Sequence, residues 1–237
     1  MLSRLAHASH PRLARAAQSS AARGLYLRTV VTATNSPAAS SLDYYNEVLV
    51  DHNNVRDLLK RFTDAHRSRD ERLMNAIANT IVREAALHSD GEEISIYKAL
   101  DKYELHEAAD KDREEHQAVK QAMSLVDSNS TSSLGTDEFA ASVTEACKLF
   151  LQHAEDEEKN QFKKLSANLT ALERAELARD FLEAREMVPS RPHPSAPQGG
   201  GVGQKLMGTM VKPFDAAISS TRDFVELKYH HANPNMS

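Results

Sequence analysis

Four stretches between residues 42 and 166 repeat a core-facing position every three or four residues, which is the spacing of one face of an α-helix. They cover about residues 42–66, 70–101, 108–127 and 136–166. No segment of this span alternates with a period of two, so the pattern predicts no sheet. Short connections join the stretches, and helices joined in this way pack antiparallel. The sequence therefore predicts an all-α fold, an antiparallel up-down four-helix bundle with further helical segments after it.

Each predicted helix carries one histidine inside its mainly apolar stripe. One such histidine is more often a buried core residue with a hydrogen-bond partner than a metal ligand. Four histidines in one core are costly unless something accepts their lone pairs. A metal ion would do so, and the candidate ligands are His52, His88, His116 and His153.

Two of these histidines begin the pattern His-x-x-x-Glu-Glu, in "HSDGEE" at 88–93 and "HAEDEE" at 153–158. A histidine four residues before an acid is weak by itself, since His66 and His106 also have one. Residues i and i+4 lie about 6 Å apart on one helix face, so Glu92 and Glu157 can converge with their histidines. Four imidazoles and two carboxylates suit paired iron or manganese better than magnesium or calcium.

The segments "DHNNVRDLLKRF", "HSDGEEISIY" and "HAEDEEKNQF" resemble the signature segments of the hemerythrin-like HHE cation-binding domain, over about residues 43–166. The resemblance implies a non-haem di-iron centre, with manganese or zinc as alternative metals. It implies a role in binding or sensing O₂, NO or peroxide, or in iron handling. The implied ligands are four histidine nitrogens and two bridging glutamates: His52, His88, His116, His153, Glu92 and Glu157.

The chain departs from the oxygen-carrying hemerythrins at two positions. Those proteins place a second histidine four residues along the third helix, where this chain has Lys120. Gly91 lies inside the first motif and disfavours a regular helix by about 1 kcal/mol. If either motif helix is distorted, Glu93 or Glu158 becomes an alternative ligand.

Residues 1–42 contain five arginines, no lysine and no acidic residue. A basic segment rich in Ser and Ala and without acids is typical of a mitochondrial transit peptide, so we expect a mitochondrial protein, most simply of the matrix. Without this segment Lys plus Arg falls from 29 to 24 against 34 acidic residues, a formal charge of about −10. Such a body disfavours nucleic acid as a partner, because phosphate contacts dominate that affinity.

The predicted organisation has five parts. Residues 1–42 are the transit peptide, 43–166 the bundle, and 167–187 an additional helix. Residues 188–212 are a Pro/Gly-rich linker, and 213–237 form a tail with the pattern of a short amphipathic helix, docked or mobile. No apolar run reaches the roughly 18 residues that a membrane span needs, and the single cysteine, Cys147, excludes an internal disulfide.

Two other functions remain open from the sequence. A di-iron redox enzyme would use the same ligands, although no proton-relay or substrate residue stands out, so enzymatic activity is undecided. A metal-free bundle would serve as an interaction module, engaging protein partners through 168–187 or the tail. That second alternative leaves four core histidines unexplained.

Overall fold

The computed structural model describes residues 42–196 and 202–233, without side-chain detail at 202–208. The transit-peptide prediction therefore lies almost entirely outside the described residues. The elements in chain order are α1 (Tyr44–Arg67), α2 (Glu71–Ile94), α3 (Ile96–Lys102), α4 (His106–Asp127), α5 (Thr131–Leu134), α6 (Thr136–Asp156), a π-helical turn (Glu157–Gln161), α7 (Phe162–Asn168), α8 (Ala171–Met187) and α9 (Val202–Ser219).

The helices α1, α2, α4 and α6 form the predicted four-helix bundle, and the described residues contain no strand. The first two begin at aspartate caps. The Asp43 carboxylate accepts the Tyr45 N–H, and the Asp70 carboxylate accepts the Leu73 N–H. Such caps satisfy backbone donors that a helix start leaves without partners.

Two apolar clusters fill the bundle, and a polar layer lies between them. On α1, Val48 belongs to one cluster and Val55 to the other, with His52 between them. On α4, Ala109 and Val119 flank His116 in the same way. The apolar layers fix the helix positions and thereby bring the polar side chains of four helices to one level.

Both motif helices are interrupted just after their glutamates. The Ser95 hydroxyl donates to the Gly91 carbonyl at 2.6 Å, and α2 gives way to α3 there. After α6, the Phe162 N–H donates to the Glu157 carbonyl, an i to i+5 bond that defines the π-turn. The extra residue in this turn lets Gln161 and Phe162 both face inward, at 4 % and 1 % exposure. Turns of this type are frequent at functional sites.

The segments after the bundle fold against it. Helix α8 packs on α1 and α2. Helix α9 begins at Val202, inside the segment predicted as linker, and continues past residue 212. After Ser220 the described chain has no helix, and residues 222–232, which we call the C-terminal strap, lie against α1 and α2. No helix in the described ranges is long and apolar enough to cross a membrane.

Candidate metal centre

The six side chains predicted from the sequence meet in the polar layer. All are at most 2 % exposed. They fall into two overlapping groups, within each of which the ligand atoms lie within 4.8 Å of one another. His88 and Glu92 belong to both groups. Two neighbouring cation positions that share a carboxylate are the arrangement that a dinuclear site needs. The groups are His88, Glu92, His116 and His153, and His52, His88, Glu92 and Glu157.

Each histidine directs its Nε2 atom at one of the two glutamates. His52 and His153 lie 3.4 and 3.3 Å from the two oxygens of Glu157. His88 and His116 lie 3.5 and 3.6 Å from Oε2 of Glu92. Two donors that share one ion at about 2.1 Å stand about 3.0–3.4 Å apart. The distances between each Nε2 and its carboxylate oxygen are therefore close to those expected for two ligands of one cation.

Most of the inward-facing ligand atoms lack hydrogen-bond partners within the protein. They include Nε2 of His52, His88 and His153, Oε1 of Glu92 and both oxygens of Glu157. Buried polar atoms without partners are rare, because each costs about 1–3 kcal/mol. Ligation by a metal would satisfy all of them at once, so the donor set fits a metal centre.

The outward nitrogens of two histidines are held by carboxylates. His52 Nδ1 lies 2.8 Å from Glu158, which Arg56 also binds, and His153 Nδ1 lies 2.9 Å from Glu115. A carboxylate on Nδ1 keeps the proton there and leaves the Nε2 lone pair directed into the site. These contacts fix both the tautomer and the ring orientation that a metal ligand requires.

His88 and His116 have different surroundings. Nδ1 of His88 faces Asp51 at 3.5 Å. The Tyr97 ring stacks on His116, with its hydroxyl 3.1 Å from both ring nitrogens and 3.5 Å from Oε2 of Glu92. Tyr97 is fully buried, and burial together with the charge of Glu157 raises the pKa of its hydroxyl well above the usual value. It is therefore a neutral hydrogen-bond donor beside the site.

The two glutamates differ in charge state. Burial raises the pKa of Glu92, and the negative charge of Glu157 raises it further. Burial acts the same way on Glu157, but His153 and His52 outweigh it and hold the Glu157 pKa well below its usual range. Burial and Glu157 thus favour the protonated form of Glu92, whereas the neighbouring histidines favour the charged form of Glu157. A bound cation would favour the charged form of both glutamates.

Two histidines show opposite shifts. Burial lowers the pKa of His88 to about 4, and the nearby Asp51 carboxylate only partly offsets this. Burial also lowers that of His153, but the charge of Glu157 at 3.3 Å and the hydrogen bond to Glu115 raise the pKa to about 10. His88 is thus ready to ligate as neutral imidazole, whereas His153 must lose a proton to do so.

Asp112 is a candidate ligand that sequence reasoning missed. It is fully buried on α4, and its Oδ1 accepts a hydrogen bond from Gln161 at 2.5 Å while Oδ2 has no partner. Asp112, Glu115 and His153 form a further group with ligand atoms within 4.8 Å. Burial and the charge of Glu157 raise the Asp112 pKa to about 7. In the sequence, Asp112 could have been recognised as an aspartate within the core stripe, four residues before His116.

The alternative ligands considered from the sequence have other partners. Lys120 is buried and binds Asp90 at 2.6 Å and Glu93 at 2.7 Å, so Glu93 serves an ion pair. Glu158 binds His52 from outside, as described above. His66 contacts Asp137 and His106 contacts Asp101, both away from the six-residue cluster. Neither histidine enters the polar layer.

The position of the first interhelical turn explains how His52 reaches His88. A turn centred at residues 67–68 would leave the two histidines offset by about 7 Å along the helix axes. In the structure α1 continues to Arg67 and α2 begins at Glu71, so the turn is centred near Arg69. Arg69 lies nearly midway between the two histidines, and their rings are 4.9 Å apart.

Comparison with known proteins agrees with this geometry. Residues 43–165 match the family model for the hemerythrin HHE cation-binding domain. The chain belongs to this family. It is also 32 % identical, over 151 residues, to an uncharacterised hemerythrin-like protein of Schizosaccharomyces pombe. That match covers 62 % of this chain and 70 % of the relative. No solved structure gave a match.

The hemerythrin HHE domain therefore spans the bundle and the positions of all six candidate ligands. Cation binding follows from the family and from the clustered histidines and glutamates. The family match ends at residue 165. Helices α8 and α9 and the C-terminal strap lie beyond it.

Proposed function

We propose that this chain binds a pair of iron ions at the polar layer and uses them to bind or sense a small molecule, O₂, NO or peroxide. The observation that carries the proposal is the pair of overlapping ligand groups that share His88 and Glu92. Four imidazoles with two carboxylates favour iron or manganese, with zinc as a further alternative.

Each residue of the layer has a separate role in the proposed metal centre. His52, His88, His116 and His153 would ligate through Nε2, and Glu92 and Glu157 would bridge and balance the charge. Asp112 offers one further carboxylate oxygen. When bound, a ferrous pair supplies electrons for reversible binding or reduction of a small oxidant. Tyr97 supplies a hydrogen bond at the rim of the layer.

Burial restricts what can reach the centre. The ligand side chains are between 0 and 2 % exposed. Phe150 packs against the rings of His52 and His88, and Phe162 packs against that of His52. Such walls admit a diatomic molecule or peroxide more readily than a larger substrate. This favours a ligand-binding or sensing role over turnover of a metabolite.

The test uses the full chain, purified without chelator, loaded anaerobically with ferrous iron and then exposed to air. We expect close to two irons per chain by elemental analysis, with new near-ultraviolet absorption. Parallel loading with Mn²⁺ and Zn²⁺ compares the alternative metals. His88→Ala and His153→Ala should lose both the iron and the absorption.

The matched controls are His66→Ala and His106→Ala. These histidines also precede an acid by four residues but lie outside the layer. They should keep two irons. If the wild-type chain remains folded and binds no stoichiometric iron, the proposal is wrong. A metal-free interaction module then becomes the better hypothesis.

We also propose that the protein acts in mitochondria. Support comes from the arginine-rich, acid-free composition of residues 1–42. A reporter fused after residue 42 should enter mitochondria, and changing the five arginines to glutamine should prevent this. Retention of the unmodified fusion in the cytosol would contradict the proposal.

A further inference from the structure

The C-terminal strap is bound through its backbone to the groove between α1 and α2. The Asn54 side chain donates to the carbonyl of Tyr229 and accepts its N–H, at 3.0 and 2.9 Å. The Thr80 hydroxyl accepts the Val225 N–H at 3.0 Å. Val225 and Leu227 pack on the core cluster of the bundle. The strap is thus held at several points along its length.

The strap ends on two carboxylates of α1. His231 Nδ1 lies 3.1 Å from Glu47, and Nε2 lies 3.0 Å from Oδ1 of Asp51. The Ala232 N–H donates to the same Glu47 oxygen. Because both ring nitrogens face carboxylates, both act as donors and the ring is an imidazolium. Burial lowers its pKa, but the bonds to Asp51 and Glu47 raise it to about 9.

Asp51 connects this contact to the metal centre. Its Oδ2 accepts a hydrogen bond from Arg185 of α8 at 2.6 Å and faces Nδ1 of His88 at 3.5 Å. Asp51 is fully buried, as is His88. The groups around His231 are Glu47 and Asp51 on α1 and Phe181 on α8, with Arg185 also bound to Asp51. One carboxylate is therefore held from two sides and directed at a candidate ligand.

We propose that His231 is a positioning residue for the metal centre, and that the C-terminal strap completes the surroundings of His88 by fixing Asp51. The proposal rests on the metal centre proposed above and extends it beyond the HHE domain, which ends at residue 165. A carboxylate behind a ligating histidine sets its orientation and basicity, and its loss weakens metal affinity about 10–100-fold. Loosening that carboxylate should act in the same direction.

The experiment measures cobalt affinity in the full-length chain, by competition with a chelator, and records the visible d–d bands. Cobalt binds nitrogen and oxygen sites at least as well as ferrous iron does. His231→Gln keeps a polar side chain but lacks the imidazolium charge and the two ring N–H groups that face Glu47 and Asp51. We expect a cobalt Kd about tenfold weaker and altered d–d bands. A role confined to strap packing would leave those bands unchanged.

The matched control is His230→Gln, which makes the same chemical change at the exposed neighbouring residue. It should match wild type in Kd and spectrum. A double-mutant cycle with Asp51→Asn then tests whether His231 acts through Asp51. If it does, His231→Gln should change the cobalt Kd little once Asp51 is changed. Additive effects would show that His231 does not act through Asp51.

A second variant, Thr80→Val, tests the proposal whether or not His231→Gln folds. It removes the bond to Val225, and hydrogen exchange at residues 222–232 reports strap release. Release of the strap with unchanged cobalt Kd and bands would overturn the proposal, as would a His231→Gln protein identical to the His230→Gln control. Absence of metal binding by wild type would instead reject the metal centre itself.

Discussion

At the residue scale, the polar layer disfavours the charge of Glu92 and leaves buried polar atoms without hydrogen-bond partners when it contains protein groups alone. Burial and the charge of Glu157 raise the pKa of Glu92 and so disfavour its charged form there. Several buried nitrogens and oxygens have no hydrogen-bond partner. These features lower the stability of the metal-free fold, and a bound cation would reverse them.

Glu92→Gln should therefore stabilise the metal-free protein while abolishing metal binding. A charged Glu92 is disfavoured in the buried layer, whereas glutamine carries no charge. We expect a gain of about 1 kcal/mol, or about 2–4 °C in Tm for a chain of this size. The gain should shrink as the pH falls toward 4.5, the ordinary Glu pKa, because Glu92 then enters folding already protonated.

Thermal melts of chelator-treated wild type and Glu92→Gln at pH 7 and 4.5 provide the measurement. Elemental analysis of the loaded variant provides the second readout. A lower Tm for the variant at pH 7 would show that Glu92 has a stabilising partner within the protein. Two bound metals would show that it is not a ligand.

The sequence identified the six clustered residues because helical period and paired acids are local signals. Asp112 was visible as an acid in a core stripe but had no repeated motif to mark it. His231 had no signal at all. Its contacts join residues 180 and 184 positions apart along the chain, and such contacts depend on tertiary structure.

At the element scale, Gly91 allows α8 to pack closely on α2. A Cβ at this position would lie 3.1 Å from Cγ of Arg185 and 3.3 Å from Cε2 of Phe181. Arg185 is held by Asp51 and Glu84, and Phe181 is fully buried, so neither moves easily. The helical glycine flagged in the sequence thus serves helix packing, and α2 continues through it to Ile94.

Gly91→Ala should destabilise the fold by about 1 kcal/mol, because overpacking of about 1–3 kcal/mol exceeds the helix-propensity gain of about 1 kcal/mol. Urea unfolding measures the loss. Combining it with Phe181→Leu should give less than the sum of the two single effects, since the smaller side chain relieves the contact. A more stable Gly91→Ala protein would contradict this account of α8.

The strap should give the stability a specific pH dependence. The folded pKa of His231 is about 9, above its ordinary 6.5. A raised pKa means that the stabilisation is complete below pH 6.5 and is lost as the pH rises through about 9. Linkage sets an upper bound of about 3 kcal/mol for this contribution.

The measurement is the free energy of unfolding of wild type and His231→Gln from pH 6 to 10. Subtracting the two curves removes the titration of other groups. The difference should decline across the window from 6.5 to 9 and should be flat for His230→Gln. A difference independent of pH would mean that His231 stabilises the strap without its charge.

Element prediction from the sequence succeeded where periodicity is local and failed where tertiary contacts decide. The four long helices follow their stripes. The π-turn at Glu157–Gln161 has no such signal, because it depends on both Gln161 and Phe162 turning inward. The strap lacks periodicity, since bundle side chains such as Asn54 recognise its backbone.

At the scale of the whole molecule, the metal centre and the fold should stabilise each other. Ligands come from α1, α2, α4 and the α6 helix with its π-turn, so a bound cation crosslinks the entire bundle. The strap and α8 reach the same layer through Asp51. Metal binding should therefore be read out as global stability and as protection of the strap.

We expect metal loading to raise the Tm of the full chain by about 5–11 °C. A ligand at 100 times its Kd adds about 2.7 kcal/mol, and each kcal/mol is worth about 2–4 °C at this size. Anaerobic melts with ferrous iron, before and after a chelator, measure the shift. His88→Ala and His153→Ala should show none of it, whereas His66→Ala should show all of it. Since α2 and α6 hold the ligands, a shift in wild type that survives in both ligand variants would place the stabilising metal outside the polar layer.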